Sequence, residues 1–231
     1  MYCPSCSSNS LDRLEHGTKV LDFKCGKCDE GYQCKSLSKP IGHKILDSAY
    51  EAMITAIKTD NAPNLLILHY SKEEWIVQNL LIIPRHLLTV SAIEERKPLS
   101  PSARRAGWIG CNIILDRMPT SGRIFAVKDS MLLKPSEVRA EWRQLAFLRD
   151  LAPESRGWLV DVLSCIQSLD KHQFTLAEAY KFERELCALH PENRHIKPKI
   201  RQQLQILRDR GILKFAARGQ YEFVAAKLDS A

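Results

Sequence analysis

Short apolar runs and alternating segments dominate the first 150 residues of the chain. Runs of this length, bounded by turn-forming residues, are typical of strands in a sheet. They predict strands at residues 18–23, 31–37, 65–70, 76–83 and 122–127. Helical spacing of apolar residues predicts helices at 48–58, with Ser48 as a cap, and at 136–148, and a loop rich in proline, arginine and glycine spans 96–112. This part of the chain is therefore predicted to be an α+β domain with a mixed sheet.

The last third of the chain has a different pattern, in which three helical segments precede an alternating one. The predicted helices cover residues 158–169, 175–189 and 198–211, and the second opens with a capping box of Thr175 and Glu178. Residues 212–224 alternate around a turn, which predicts a β-hairpin. Three helices followed by a hairpin indicate a winged helix. Since residues 151–157 have the composition of a linker, we predict two domains, at 1–150 and 155–231.

The composition is that of an ordinary globular protein. The 231 residues are 45% hydrophobic and 26% charged, which excludes a disordered tail or a coiled-coil rod. No apolar run approaches the roughly 18 residues that a membrane span needs, and the N-terminus lacks a basic-then-apolar signal pattern. We therefore expect a cytoplasmic protein with no membrane partner. The formal net charge of +7 favours a polyanionic partner.

The positive charge is concentrated at the predicted third helix and hairpin. Between residues 193 and 218, eight basic residues accompany a single acidic one. One face of the helix is apolar, and another carries basic and amide side chains. This second face and the hairpin together supply Lys197, Arg201, Gln202, Gln205, Arg208 and Arg218. Because cations bind phosphates and glutamine can pair with adenine in the major groove, we predict that this face binds DNA; an ordinary solvated helix face is the alternative.

Two Cys-x-x-Cys pairs stand near the N-terminus, Cys3 with Cys6 and Cys25 with Cys28. The gap of 18 residues between the pairs is typical of a structural zinc site. Each pair places two thiolates on one side of a tight turn, so two pairs can complete a tetrahedron around Zn²⁺. Four protein ligands leave no open coordination position, and we therefore predict a structural rather than a catalytic zinc.

The two predicted strands that flank the second cysteine pair carry an acidic, an amide and a basic side chain. Asp22 lies on the first strand, and Gln33 and Lys35 point to one face of the second. An acid facing a polar residue and a lysine two positions apart is the arrangement of the PD-(D/E)xK nucleases. There, the metal stabilises the charge that develops on the phosphate and the lysine positions the attacking water. A polar hairpin bordering the zinc site would show the same pattern.

The predicted loop at 96–112 is a second candidate for contact with DNA. Arg104 and Arg105 can neutralise phosphates. Trp108 stands between two glycines that permit close backbone approach, and its ring can present an apolar surface to a methyl group. A tryptophan of the core is the alternative interpretation.

Several longer runs carry a resemblance to a known family. They are residues 2–6 (Tyr-Cys-Pro-Ser-Cys), 22–23, 25–28, 96–112, 121–125, 155–158 and 200–209. In these runs, and over nearly its whole length, the chain resembles the DpnI-type methyl-directed (type IIM) restriction endonucleases. The resemblance implies a PD-(D/E)xK nuclease domain with a zinc site, followed by a winged helix. It also implies Asp22, Gln33 and Lys35 as catalytic residues, Mg²⁺ bound by Asp22 and Gln33, and cleavage of double-stranded DNA at adenine-methylated GATC. We expect a monomer.

Two departures from the family leave other functions open. Gln33 stands where the family has a glutamate, so it offers a carbonyl oxygen to Mg²⁺ but no charge; Asp29 and Glu30 are the candidates to compensate. The chain also starts two residues before Cys3, where the family has a further segment that is expected to be helical. A methylated-DNA-binding protein that lacks cleavage activity is the main alternative, and a zinc-ribbon transcription regulator is a more remote one.

Overall fold

A computed structural model describes residues 1–15 and 20–224 of the chain. Its strands, in chain order, are β1 (Asp12–Arg13), β2 (Phe23–Lys24), β3 (Gly31–Leu37), β4 (Lys44–Ala49), β5 (Asn64–Tyr70), β6 (Val77–Ile83), β7 (Ile93–Glu95), β8 (Gly110–Ile114), β9 (Ile124–Lys128), β10 (Met131–Leu132), β11 (Gln173–Thr175), β12 (Leu213–Ala217) and β13 (Gln220–Phe223). Its helices are α1 (Tyr50–Lys58), α2 (Pro135–Gln144), α3 (Pro153–Gln167), α4 (Leu176–Tyr180), α5 (Glu183–Leu189) and α6 (Ile196–Asp209). Among these described helices, none is long and apolar enough to cross a membrane.

The central layer is a seven-stranded mixed sheet in the order β1-β2-β3-β5-β6-β9-β10. In it β3 runs parallel to β5, with Lys35 opposite Ile67, whereas β5 and β6 are antiparallel. The sheet is covered on both faces. Tyr32 and Leu66 belong to a smaller core shared with the N-terminal cysteines, and Leu65 and Ile67 to the larger core on the other face. Neighbouring residues of one strand therefore face two different parts of the molecule.

A second, smaller sheet lies against the larger core. Its three antiparallel strands follow the order β4-β8-β7, and α1 packs beside them through Met53, Ile54 and Ile57. The same core continues into α3 through Leu159 and Leu163. Because the apolar packing runs across residues 150–155, the exact division into two domains stays a prediction.

The C-terminal part is a winged helix, as predicted. Its three-stranded sheet has the order β11-β13-β12, and the predicted apolar stripe of α6 is buried. The capping box is present: Glu178 N donates to Thr175 Oγ1 at 3.2 Å, and Thr175 N donates to the Glu178 carboxylate at 2.8 Å. The mixed sheet and the winged helix together confirm the predicted α+β class.

Two strands of the N-terminal part differ from their predictions. The strand predicted at 18–23 is reduced to β2, since Val20 has a φ of +74°, which strand backbone does not adopt; residues 18 and 19 lie outside the described residues. The predicted loop at 96–112 ends earlier, because Gly110 already pairs with Ala49 of β4. The strand β4 itself was missed, because its polarity does not follow its alternating faces: the apolar Leu46 is exposed and the charged Asp47 is buried.

The helix boundaries also differ in places. Ala49 is the N-cap of α1, so the predicted cap at Ser48 is wrong. The helix predicted at 175–189 divides into α4 and α5 at Lys181 and Phe182, whose N–H groups bond to carbonyls three residues earlier rather than four. Helix α6 begins two residues before Pro198, so the proline lies in its first turn. A proline, which has no N–H group, is tolerated there because the first N–H groups of a helix have no intrahelical acceptor. Helix α3 begins at Pro153, so the predicted linker at 151–157 is shorter than expected.

Candidate active site and DNA-binding surfaces

Asp22 lies beside the strand that carries Gln33 and Lys35. Its backbone N–H donates to the Tyr32 carbonyl at 2.9 Å, and the next residue, Phe23, is itself paired with Tyr32, so Asp22 lies at the end of the β2–β3 pairing. The Cys34 N–H donates to Asp22 Oδ2 at 2.7 Å. The exposed carboxylate is thus held at the one residue that separates Gln33 from Lys35.

Gln33 and Lys35 point to the face of β3 opposite to Tyr32 and Cys34. Both are half-buried, and Lys35 Nζ contacts the carboxylate of Asp47, which lies on β4 in the smaller sheet. The structure therefore brings the three predicted residues to one segment of β3 and adds a second carboxylate. Sequence reasoning missed Asp47, because an acid that directly follows the apolar pair Ile45 and Leu46 does not show which of these side chains faces inward.

Cys34 is chemically inert in this setting. Burial of the thiol, with a smaller contribution from the carboxylate of Asp22, raises the pKa of Cys34. The cysteine is consequently protonated at neutral pH and is not an active nucleophile.

The two acids proposed to compensate for Gln33 are occupied elsewhere. Asp29 is exposed and pairs with Lys24 at 3.0 Å. Glu30 accepts a hydrogen bond from Asn64 at 2.7 Å and pairs with Arg149 at 3.2 Å. These contacts anchor the turn between β2 and β3 to the rest of the domain. The structure therefore gives no support to compensation by Asp29 or Glu30.

The four N-terminal cysteines converge, as predicted. Their Sγ atoms all lie within 4.8 Å of one another, with Cys3 and Cys28 at 3.7 Å and Cys6 and Cys25 at 3.6 Å. A tetrahedral zinc with Zn–S bonds of about 2.3 Å sets its sulfur atoms about 3.8 Å apart, so the cluster fits the ion. With all four positions taken by protein thiolates, such an ion would hold the fold together and leave no place for a substrate.

One cysteine of the cluster is already prepared for metal binding. Burial alone would raise the pKa of Cys25, but hydrogen bonds from the backbone N–H groups of Cys28 and Lys27 outweigh that effect and bring the pKa to about 6. By contrast, burial raises the pKa of Cys28 to about 12. Because a bound metal requires thiolates, uptake of zinc must release a proton from Cys28.

The cysteine cluster is tied to the sheet and to α2. The buried hydroxyl of Tyr32 lies 3.3 Å from Cys3 Sγ, and the ring of Tyr32 packs on Trp142 of α2. From the same helix, Arg139 donates to the carbonyls of Cys3 at 3.0 Å and Ser8 at 2.8 Å. Since Tyr32 immediately precedes Gln33, the cysteine cluster supports the strand on which the candidate active site stands.

The residues between β7 and β8 form an ordered hairpin extension. Arg96 N donates to Gly110 O at 3.0 Å, and Leu99 N to Trp108 O at 3.0 Å. Trp108 is half-buried, and a side chain at Gly110 would meet its ring at 2.7 Å, so only glycine fits there. The Arg105 guanidinium lies 4.6 Å from the centre of the same ring. The face of Trp108 that Arg105 covers is therefore open to a ligand only if Arg105 moves.

The basic face of α6 is partly free and partly paired. Lys197 pairs with Glu183 at 3.1 Å, and Arg208 pairs with Asp209 at 2.7 Å and stacks on Phe215. The remaining predicted residues are exposed and have no ion-pair partner among the residues that the structure describes; they are Arg201, Gln202, Gln205 and Arg218. Arg201, Arg218 and the half-exposed Phe215 line a concave surface of about 460 Å³ between α6 and the hairpin. The lining of this surface combines two arginines with the aromatic rings of Phe215 and Tyr221.

Comparison with known families identifies the chain. Residues 1–151 match the model of DpnI, the Dam-replacing family, and residues 154–223 match the Dam-replacing HTH domain. The chain belongs to the Dam-replacing family. Membership supports a methyl-dependent restriction or DNA-binding role for this Dam-replacing protein, and it confirms the resemblance inferred from the sequence.

Proposed function

We propose that this Dam-replacing protein is a type II, methyl-directed restriction endonuclease. It would cleave double-stranded DNA at adenine-methylated GATC, with a nuclease domain at 1–150 and a winged helix at 155–231. The observation that carries the proposal is the hydrogen bond that holds the Asp22 carboxylate at Cys34, between Gln33 and Lys35, in a chain of this family. A carboxylate and an amide oxygen can hold a divalent cation, and an ammonium beside them can orient the water that hydrolyses a phosphodiester.

Each residue of the candidate site has a distinct role in this proposal. Asp22 and the side-chain oxygen of Gln33 would hold Mg²⁺, which prefers oxygen ligands. When bound, Mg²⁺ supplies stabilisation of the negative charge that develops on the phosphate. Lys35 would orient the attacking water and add a positive charge next to the scissile phosphate.

Discrimination of methylated DNA demands more than one contact. Burial of a single methyl-sized group contributes roughly 0.8 kcal/mol, about a fourfold preference, which is too small for a restriction enzyme. Two surfaces that each read a methyl group would multiply their preferences, because their free energies add when both are engaged. The loop with Trp108 and the concave surface between α6 and the hairpin are the two candidates.

The first test is the digestion of one plasmid prepared from adenine-methylating and non-methylating hosts, in Mg²⁺ and then in Mn²⁺. The proposal expects fragments from the methylated plasmid alone. Asp22→Ala should abolish cleavage, whereas Asp29→Ala, which removes an exposed carboxylate from the same hairpin, should leave it intact. Equal cleavage by the wild type and Asp22→Ala would refute the assigned site.

A second function, methylated-DNA binding without cleavage, is favoured by one observation. Gln33 brings no charge to the metal site, and neither Asp29 nor Glu30 is free to supply it. Gel shifts of methylated DNA in Ca²⁺, with no product in Mg²⁺ or Mn²⁺, would establish this function. Cleavage restored by Gln33→Glu would then identify the missing carboxylate as the reason.

A further inference from the structure

The lysine of the candidate site has a partner outside the motif. Lys35 Nζ forms an ion pair and a hydrogen bond with Asp47 Oδ1. The side chain of Asp47 is completely buried, whereas that of Lys35 remains 22% exposed. The buried carboxylate therefore holds the ammonium group, while the lysine side chain keeps some contact with solvent.

Stability alone does not explain this carboxylate. Asp47 Oδ2 is buried and has no hydrogen-bond partner among the described residues. A buried carboxylate with one oxygen unpartnered loses hydration that a single ion pair does not fully replace. Such a costly arrangement is typical of functional sites, where burial and a specific charged partner are combined.

Asp47 also stands where two structural units meet. Its Cα lies opposite Cys111 in the pairing of β4 with β8, and Cys111 directly follows Gly110, against which the Trp108 ring packs. Lys35 belongs to the other sheet. The Lys35–Asp47 contact is thus a polar link between β3 and β4, and β4 is paired with the strand that begins at the base of the Trp108 loop.

We propose that Asp47 is a positioning residue, which holds the Lys35 ammonium in place for cleavage; this inference rests on the proposed nuclease function. Asp22, Lys35 and Asp47 together carry a formal charge of −1. A site with two motif carboxylates and one lysine has the same charge, so Asp47 restores the balance that Gln33 removes. The carboxylate acts through Lys35 and makes no contact with the DNA.

The test compares Asp47→Asn with the wild type in single-turnover cleavage of methylated DNA. We expect the cleavage rate to fall between about 10- and 100-fold, because a misplaced catalytic group costs up to about 100-fold. DNA affinity measured in Ca²⁺ should stay unchanged, since a loss of positioning lowers the rate and not the binding. The control is Glu94→Gln, which removes an exposed carboxylate that pairs with Lys44 of the same β4 strand at 3.7 Å.

A second variant covers the case in which Asp47→Asn fails to fold. The double variant Lys35→Gln/Asp47→Asn leaves no unpaired buried charge, because both partners of the ion pair become neutral amides. Its residual rate in Mn²⁺ should equal that of Lys35→Gln if Asp47 acts only through Lys35. A further loss in the double variant, an Asp47→Asn rate equal to the wild type, or a parallel loss of DNA affinity would overturn the inference.

The inference and the proposed function fail in different ways. If the wild type cleaves and Asp47→Asn cleaves equally well, the positioning role is wrong and the nuclease function stands. If the wild type cleaves nothing in either metal, the nuclease function is refuted. In that case, thermal unfolding of the same variants decides whether Lys35 and Asp47 interact at all, and additive shifts in melting temperature would overturn the pair itself.

Discussion

Replacement of Tyr32 by phenylalanine should weaken zinc binding while leaving the fold in place. The change removes one hydroxyl oxygen and keeps the ring that packs on Trp142 with centroids 6.5 Å apart. That hydroxyl is buried and lies 3.3 Å from Cys3 Sγ. When Cys3 is a thiolate bound to zinc, the sulfur has no proton to give, so the tyrosine must be the donor.

The size of the effect follows from the charge on the acceptor. Burial is the main reason that the pKa of Tyr32 is raised, so its hydroxyl keeps its proton at neutral pH. A hydrogen bond to a charged group contributes about 1.5–3 kcal/mol. This corresponds to a zinc affinity lower by about 10- to 100-fold, which is the range for loss of a group that bonds to a metal ligand.

The assay is competition for zinc with a chromogenic chelator at fixed pH, which gives the dissociation constant for each variant. Tyr2→Phe is the matched control, because the Tyr2 hydroxyl lies in the same unit but is buried without a hydrogen-bond partner among the described residues. Tyr2→Phe should bind zinc as the wild type does. Because Tyr32 directly precedes Gln33, removal of zinc should also disturb the candidate active site. We therefore expect zinc-stripped protein to lose the proposed activity on methylated DNA and to regain it when zinc is restored.

One result would refute this reasoning. If Tyr32→Phe and Tyr2→Phe bind zinc equally tightly, the Tyr32 hydroxyl does not donate to a metal-bound thiolate. The 3.3 Å contact would then be a packing contact only.

Three further predictions concern other parts of the molecule. Arg201→Ala should weaken binding to all DNA sequences and reduce the slope of log affinity against log salt by about 1, measured by fluorescence anisotropy; an unchanged slope would place Arg201 away from the phosphates. Gly122→Ala should lower the free energy of unfolding by about 1–3 kcal/mol in urea titration, because its methyl group would meet Leu87 Cδ1 at 2.1 Å. The hydrogen bond from Lys171 is the first cause that lowers the pKa of Glu178 to about 2, so Glu178 stabilises the fold above pH 4.5 and loses this contribution as the pH falls towards 2. In Glu178→Gln that part of the pH dependence should vanish from thermal unfolding, and identical curves would contradict it.

The amino-acid sequence was sufficient to predict features whose parts lie close together along the chain. The capping box spans the four residues from Thr175 to Glu178, and the α6 stripe repeats with the helical period, so neither depends on distant partners. The cysteine cluster needs two short turns and one hairpin, and the spacing of Cys3, Cys6, Cys25 and Cys28 predicted it. That Gln33 and Lys35 share a face was equally readable, because strand alternation fixes it, whereas their roles and that of Asp22 stay predictions.

Features that join distant segments were decided by the tertiary structure. The strand β4 became visible only through its pairing with β8, about 65 residues later. Asp47 reaches Lys35 across two different sheets, and Arg105 covers the Trp108 ring that the sequence had offered to a methyl group. Lys197, predicted to bind DNA, is paired with Glu183. In each case the outcome depends on the distance between charged groups or rings that lie on separate elements. Local periodicity in the sequence does not predict this distance, because the packing of the whole core sets it.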